Sequence, residues 1–315
     1  MLDQIFSIVF LTGFLAATLR MATPILITAL GEMVAERSGV LNLGIEGIMI
    51  LGAFVGFWIS HQTGNLWQGF LWGGLAGGII GILMGIVSVR FHANQIVTGL
   101  GIWILCQGLS SFLNRRIFGI SSARPQLPTL PTIPIPGLSK LPILGETLFN
   151  QNIIVYGTLL LIPLFIYFLK QTSWGLHLSA VGENPRAADA AGLRVELIRF
   201  LATTFGGMMA GWGGAYLPIA FYGLYTDDLA VGRGWMAIAV VAFGRWSPLG
   251  MLAGALIFGA SSALQYRLQA MNFPLPYQFL LMLPFLITLI FVVLFVRGGG
   301  GPAALAKPYI RARSE

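Results

Sequence analysis

The stretch SWGLHLSAVGENPRAADAAGLRVE, residues 173–196, is the longest polar segment in a chain that is otherwise almost continuously apolar. Charge-free runs flank it over residues 147–169 and 200–226, and each run is long enough to cross a bilayer as a helix. Charged side chains are costly in hydrocarbon. We therefore expect the polar stretch to stand in water between two membrane-spanning helices, where a partner can reach it.

The composition places the whole chain in the same class. Of the 315 residues, 56% are hydrophobic and 9% are charged, and the mean hydropathy is +0.82. Soluble domains carry about 25% charged residues. No long alternating strands occur, which argues against a barrel. The sequence predicts an all-α fold: one polytopic helical membrane domain over residues 1–315 with about nine crossings, in the range of eight to ten, some of them broken or re-entrant.

The predicted crossings differ in length. The first contains Arg20 and Pro24, where an interruption is one interpretation, and the seventh is too short to span alone, which indicates a broken helix or a re-entrant pair with its neighbour. The nine segments are residues 5–33, 43–60, 70–89, 95–114, 152–169, 200–221, 234–243, 249–264 and 277–296.

Basic residues indicate the orientation, because Lys and Arg concentrate on the cytoplasmic side. With the polar loop 171–199 in the cytoplasm, the inner segments hold Arg37, Arg90, Lys170, Arg186, Arg194, Arg199, Arg245, Arg297, Lys307, Arg311 and Arg313. The outer segments hold Arg115, Arg116, Arg124, Lys140, Arg233 and Arg267. This asymmetry explains the net charge of +7, so we predict no nucleic-acid partner.

The outer loop, residues 115–151, contains the proline-dense run RPQLPTLPTIPIPGLSKLP. Proline at this density opposes helix and favours extended, polyproline-like chain. The run is either a surface connector or a docking surface for an external partner.

Glycines recur every fourth residue along the third crossing, at Gly73, Gly77, Gly81 and Gly85. Small residues at this spacing let helix backbones approach closely in lipid. Tight packing within the bundle is the favoured interpretation, and a sliding contact during transport is the alternative. Similar pairs are Gly207 with Gly211, Ala210 with Gly214, and Gly250 with Gly254.

Catalytic motifs are absent from the sequence. His61, His92 and His177 are far apart and match no metal-ligand spacing, so we predict no metal site. The sequence has no nucleophile elbow and no phosphate-binding Gly-x-x-x-x-Gly-Lys-Ser/Thr loop. We therefore expect a non-catalytic chain without a cofactor of its own, and any ATP hydrolysis must come from another subunit.

The most polar intramembrane segment is GEMVAERSGVLNLGIEG, residues 31–47. Glycines and Asn42 interrupt an apolar run there, which predicts helix ends near a solvent-filled path. Asn42, Gly44, Glu46 and Gly47 are candidates for the wall of this path. The alternative is a cytoplasmic turn whose charges are simply solvated.

Two further polar sets are candidates for the path. Asn94, Gln95 and Thr98 open the fourth crossing, where such residues also make capping or interhelical hydrogen bonds. Trp212 and Trp235 could stack on a planar ligand, although tryptophans in membrane proteins more often pack or anchor at the interface.

The polar stretch encodes a short helix over residues 185–191. Asn184 suits the N-cap, Pro185 the first helical position and Gly192 the residue after the end. A helix of this length is not stable alone, so its flanks or a partner must hold it. Arg186 lies near the positive end of the helix dipole, which is explained if it contacts an acidic partner. An ordinary interhelical loop is the alternative.

Residues 180–192, AVGENPRAADAAG, resemble the cytoplasmic loop of permease subunits in bacterial ABC importers of the branched-chain amino acid, ribose and nucleoside group. Residues 39–47, GVLNLGIEG, look like the early motif of the simple-sugar and nucleoside branch. Agreement at residues 232–235, 243–250 and 307–309 extends the resemblance over nearly the whole chain. The nucleoside branch is the most similar.

The resemblance implies a multi-pass protein of the bacterial plasma membrane. Its partners would be cytoplasmic subunits that bind ATP and Mg²⁺, a second permease subunit, usually different but in some cases identical, and an external substrate-binding lipoprotein. The substrate would be a nucleoside, or a pentose or related sugar. The residues that would transmit ATPase closure are Gly182, Glu183, Asn184, Pro185, Arg186, Ala187, Ala188, Asp189 and Gly192.

Two alternatives come from other functional classes. A self-sufficient secondary transporter or channel needs buried titratable groups, which only residues 32–46 offer. An intramembrane enzyme needs a catalytic constellation, which the sequence lacks. Uptake by this chain without an ATPase would distinguish the first alternative from an importer subunit.

Overall fold

The structure is a computed structural model that describes residues 8–119, 125–271, 276–295 and 300–310. It is mostly helical, and π turns at Ile86–Arg90 and Leu217–Tyr222 continue α3 and α9. The helices are α1 (Ile8–Arg37), α2 (Ile45–Thr63), α3 (Leu66–Gly85), α4 (Gln95–Phe118), α5 (Leu144–Leu148), α6 (Ile153–Gln171), α7 (Ser173–Glu183), α8 (Pro185–Ala190), α9 (Val195–Tyr216), α10 (Arg233–Phe243), α11 (Pro248–Ala270) and α12 (Tyr277–Phe295).

Six helices among the described residues are long and apolar enough to cross a membrane, namely α1, α2, α3 with its π turn, α4, α6 and α11. The polytopic helical class is therefore confirmed, but nine crossings are not. The remaining predicted segments correspond to α9, to α10 and to α12. The ends of the first and ninth predicted crossings lie outside the described residues, as do Arg124, Arg297, Arg311 and Arg313.

The interruption considered near Arg20 and Pro24 is wrong, because α1 is one helix of 30 residues with Pro24 inside it. Proline has no N–H and so leaves the carbonyl four residues earlier without its helical donor. That carbonyl belongs to Arg20, and the hydroxyl of Tyr216 donates to it at 3.2 Å. A neighbouring helix thus satisfies the freed group, as membrane bundles often require.

Close helix packing organises the core around α9, which contacts α1, α2 and α3. A Cβ placed on Gly77 would lie 2.7 Å from the Cα of Gly211, and one on Gly81 would lie 2.9 Å from the Thr203 carbonyl oxygen. The glycine ridge of α3 is therefore buried against α9. This confirms tight packing within the bundle as the use of the repeated glycines.

The polypeptide re-enters the bundle between α9 and α10. Tyr225 packs against Phe54 and Phe57 of α2, and Gly232 lies at Glu46, at the beginning of the same helix. Residues 225–232 therefore run back along α2 by roughly 12–16 Å, the length of eight to eleven helical residues. α10 has 11 residues and begins inside the bundle, so the predicted broken or re-entrant seventh segment is observed.

Loop 115–151 contains more structure than predicted. A two-stranded antiparallel sheet, β1 (Thr132–Pro134) with β2 (Asn150–Asn152), closes it, and α5 and a 3₁₀ turn at Leu138–Lys140 lie between the strands. The proline-dense run itself is extended around β1, as expected. The all-α class therefore describes the membrane part, with this small sheet added in the loop.

Most described residues of the inner basic set gather at one end of the bundle, which we call the Arg37 end. Arg37 bonds to Ser179 and to Trp246, and Arg90 pairs with Glu196. Arg233 departs from its predicted outer position, since it is buried at the start of α10. The re-entrant segment carries it there.

Candidate functional site

Helix α8 has the ends that the sequence predicted. The side chain of Asn184 accepts from the Ala187 N–H at 3.1 Å, Pro185 occupies the first turn, and Gly192 adopts a φ of +87°. The helix ends at Ala190, one residue before the predicted end, and Ala191 is its C-cap. Left-handed backbone at Gly192 favours glycine, which explains the sharp stop.

The predicted coupling residues divide into an exposed and a buried set. Glu183, Asn184, Arg186, Ala187 and Gly192 are exposed, whereas Pro185 and Asp189 are partly buried. Gly182 and Ala188 are buried and hold the segment to the bundle. The exposed set is therefore the part of this segment that is accessible from outside the chain.

Gly182, near the end of α7, packs directly against the end of α1 and so positions α7 and α8 there. A Cβ at Gly182 would collide with the Arg37 carbonyl oxygen, so only glycine allows this contact. The Arg37 guanidinium donates to the Trp246 carbonyl at 2.8 and 3.1 Å, and the Trp246 indole donates to Glu36 at 2.6 Å. The turn after α10 is thereby fixed to the same end of α1.

Residues 300–310, which we call the tail, cover this junction. The Ala304 N–H donates to the Gly182 carbonyl at 2.9 Å, and the Tyr309 hydroxyl donates to Asp189 at 3.0 Å. The tail also reaches the turn between α1 and α2, where the Ala306 N–H donates to the Gly39 carbonyl at 3.2 Å. The tail therefore contacts both α8 and the turn between α1 and α2.

The turn of residues 38–44 is buried and hydrogen-bonded. The Asn42 N–H donates to Glu32 at 2.9 Å, and the Asn42 side-chain oxygen accepts from the Gly44 N–H at 2.9 Å. The Leu41 N–H donates to the Gln95 side chain at 2.9 Å, which joins the turn to α4. The interpretation of a solvated cytoplasmic turn is wrong, because Asn42 is 1% exposed and Glu32 fully buried.

Glu46 is held by the first turn of α10. Its two carboxylate oxygens accept from the N–H groups of Gly232 at 2.8 Å and Gly234 at 2.6 Å. α10 has no capping side chain of its own, so Glu46 acts as its cap across the bundle. The positive end of the helix dipole stabilises the carboxylate there.

An aromatic pair lies beside this cap. Trp103 of α4 and Trp235 of α10 meet edge to face, with ring centroids 5.7 Å apart, and both are half-buried. A Cβ at Gly47 would have a backbone carbon of Trp103 at 2.7 Å, so α2 and α4 are close enough to present the pair. A planar, partly polar solute suits such a wall.

The structure brings together only some of the predicted path residues. Asn42, Gly44, Glu46, Gly47, Gln95 and Trp235 lie around the α2–α4–α10 contact. Asn94 caps α4 on an exposed surface, and the Thr98 hydroxyl bonds to its carbonyl. Trp212 lies elsewhere, stacked on Phe70 with centroids 6.0 Å apart. Its position fits the packing alternative.

Within the described parts of the chain, no group of three or more His, Cys, Asp or Glu is arranged to hold a metal ion. The buried carboxylates that a secondary transporter would use are largely engaged. Glu36 accepts from Trp246, Glu46 caps α10, and one oxygen of Glu32 accepts from Asn42.

The sequence matches the family described as the permease component of branched-chain amino acid transport systems, over residues 14–293. The chain belongs to this permease family. The permease is therefore a multi-pass membrane protein and a non-catalytic subunit of an ABC transporter, in which partner ATPases hydrolyse ATP. No solved structure matches it at a significant level.

Curated relatives agree with the family. TsgC13 of Haloferax volcanii, an ABC transporter permease protein provisionally named for glucose, is 40% identical over 84% of the permease and 80% of its own length. The guanosine ABC transporter permease protein NupQ of Bacillus subtilis is 32% identical over 94% of the permease and 96% of its own length. The nucleoside ABC transporter permease protein NupC of Lactococcus lactis is 30% identical, over 93% and 95%.

Several residues of these contacts were not singled out from the sequence. Trp103 and Tyr216 lie within apolar helical runs that carry no local signal of their partners. The KPY motif in the tail resembled the family, but no sequence spacing indicated that Tyr309 bonds to Asp189. Only contacts between distant segments identify these three residues.

Proposed function

We propose that this permease is one of two different membrane subunits in an importer for nucleosides, or for related sugars, in the bacterial plasma membrane. One permease domain spans residues 1–315, and α9, α10 with the re-entrant segment, and α12 complete nine crossings. The relatives support the substrate class, because NupQ and NupC are named for guanosine and nucleosides and TsgC13 provisionally for glucose.

Paired relatives support two different subunits. Bacillus subtilis has, besides NupQ, a second guanosine ABC transporter permease protein, NupP, which is 23% identical to this chain over 274 residues. One genome thus encodes two permeases named for the same substrate, of which NupQ is more similar to this chain and NupP is less similar. This chain takes the role of the more similar one, and a second permease takes the other.

The observation that carries the proposal is α8, a short helix fixed at both ends and exposed along one side. Such a helix, seated on the end of α1 through Gly182, offers a rigid contact to a cytoplasmic ATPase. The ATPase would hold the ATP and Mg²⁺, and this chain would need neither. Arg186 supplies the charge for an acidic patch on that partner.

The substrate path in this proposal runs past Trp103 and Trp235. Because both rings reach the surface of the chain, the path needs a second wall, which the second permease supplies. Asn42, Gly47 and Gln95 support the wall, and Glu46 fixes where α10 begins. An external lipoprotein delivers the substrate on the side of loop 115–151.

Reconstitution in proteoliposomes tests the proposal. The chain is combined with the second permease, the ATPase and the lipoprotein from its own gene cluster, and uptake of radiolabelled guanosine, ribose and glucose is measured with and without ATP. We expect uptake of a nucleoside or a related sugar that needs every component. Equal uptake by this chain alone, without ATPase, would instead favour the secondary transporter.

A further inference from the structure

The tail is hydrogen-bonded to several parts of the Arg37 end. It bonds to α8 through Tyr309 and Asp189, to α7 through Ala304 and Gly182, and to the turn of residues 38–44 through Ala306. These are three separate elements of the bundle.

Arg199 strengthens the contact between the tail and the turn. Its side chain is 2% exposed, and it donates to the Ser38 carbonyl and to the Lys307 carbonyl, both at 3.0 Å. A Cβ at Gly39 would lie 2.5 Å from one of its nitrogens, so the turn is built to admit the guanidinium. Arginine is suited to this position because its planar fork donates to two acceptors at once.

The turn leads directly to the path. Asn42 and Gly44 stabilise it by an internal hydrogen bond, and two residues later Glu46 caps α10. Hydrogen bonds, joined by short stretches of backbone, thus connect α8, the tail, the turn and α10. Contiguous contacts of this kind are a physical route by which two sites in a protein are coupled.

We propose that the tail is part of the coupling machinery, and that Tyr309 and Arg199 are positioning residues that transmit the position of α8 to the turn before α2. The inference rests on the proposed function, since it assumes that an ATPase moves α8. Loss of the Tyr309–Asp189 bond then lets ATP be hydrolysed without moving the turn, so transport per ATP falls while assembly persists.

The test uses the complete complex in proteoliposomes and measures molecules imported per ATP hydrolysed. Tyr309→Phe and Asp189→Ala are each expected to lower this ratio roughly tenfold, which matches the lower end of the range for one hydrogen bond to a charged group. The double variant should be no worse than either single one, because both remove the same bond. Asp189→Asn keeps an acceptor for the hydroxyl and should retain most of the ratio.

Two further variants sharpen the result. In Arg199→Lys, the lysine cannot donate to the Ser38 and Lys307 carbonyls at once. This variant should also lower the ratio, because it weakens the contact between the tail and the turn. Tyr167→Phe, which removes the hydroxyl of a tyrosine 61% exposed on α6, is the matched control and should leave the ratio unchanged.

The outcomes are distinguishable. A wild-type ratio in Tyr309→Phe overturns the inference while ATP-dependent uptake by the wild type still supports the proposed function. Loss of complex assembly in Tyr309→Phe also overturns it, since the tail then has a purely structural role. Wild-type complex that takes up substrate without ATP would overturn the proposed function and, with it, this inference.

Discussion

The carboxylate of Glu46 lies 2.6 Å from the backbone nitrogen of Gly234, and so the first turn of α2 caps the half-length helix α10. A second bond, from Gly232 at 2.8 Å, uses the other carboxylate oxygen. Glu46, a predicted path residue, thus determines where α10 begins inside the bundle. The position of Trp235, the next residue of that helix, therefore depends on Glu46.

Replacing Glu46 should destabilise α10. Glu46→Leu leaves the buried N–H of Gly234 and the partly buried N–H of Gly232 without an acceptor, at a cost of about 1–3 kcal/mol for the buried group, and Glu46→Gln keeps one acceptor oxygen. We expect the melting temperature of the purified complex and its uptake to fall in the order wild type, Gln, Leu. Glu146→Gln, at an exposed position in the outer loop, is the control. A wild-type melting temperature for Glu46→Leu would refute the capping role.

Tyr216→Phe should destabilise the bundle by about 1–2 kcal/mol, because the Arg20 carbonyl loses its donor. Pro24→Ala restores an N–H that can donate to the same carbonyl. Pro24→Ala should therefore raise the melting temperature more in the Tyr216→Phe background than in the wild-type background. Thermal unfolding in detergent measures both effects. Equal effects in both backgrounds would show that Tyr216 does not compensate for the proline.

Adjacent glycines on α3 should respond differently to alanine. A Cβ at Gly77 would lie 2.7 Å from the Gly211 Cα, whereas one at Gly78 would lie 3.6 Å from the Met208 Cβ, an ordinary contact. Gly77→Ala should cost about 1–3 kcal/mol of stability through overpacking, and Gly78→Ala should be nearly neutral. Similar melting temperatures for the two variants would contradict the close α3–α9 contact.

The three tryptophans give a test of the path. Trp103→Leu and Trp235→Leu should raise the KM for uptake several-fold, roughly the value of one lost aromatic contact, with little change in melting temperature. Trp212→Leu should lower the melting temperature and leave the KM nearly unchanged, because that ring is packed on Phe70. A lowered melting temperature with unchanged KM for Trp103→Leu and Trp235→Leu would assign them to packing.

Charge reversal on α8 tests the contact with the ATPase. Arg186→Glu should weaken co-purification of the ATPase about tenfold and reduce transport, while membrane insertion stays normal. Lys140→Glu makes the same charge change on the exposed outer loop and should have no effect. Full assembly and full ATP-coupled uptake with Arg186→Glu would remove α8 from the proposed interface.

Local sequence signals predicted the local structure well. Asn184, Pro185 and Gly192 fixed the ends of α8 within one residue, because caps act over three or four positions. The glycine spacing of α3 predicted a close helix contact, since one face of a helix repeats about every four residues. The short seventh segment, residues 234–243, predicted a broken or re-entrant helix, because ten residues cannot span a bilayer.

Partners distant in sequence were not predictable in this way. Arg20 and Pro24 suggested an interruption of α1, yet Tyr216, nearly two hundred residues away, satisfies the freed carbonyl. Glu46 and Trp212 both looked like path residues, and packing assigned one to a helix cap and the other to an aromatic stack. No local pattern records which helix lies beside which.

The sequence alone determined that the chain is a helical membrane protein with a short capped helix in a polar loop, because hydropathy and capping depend on neighbouring residues. The tertiary structure decided how the polar groups are used. Hydrogen bonds between residues far apart in sequence need a folded bundle to bring donor and acceptor within about 3 Å. Three such contacts are the Glu46 cap on α10, the bond from Tyr216 to the Arg20 carbonyl of α1, and the bond from Tyr309 of the tail to Asp189 of α8.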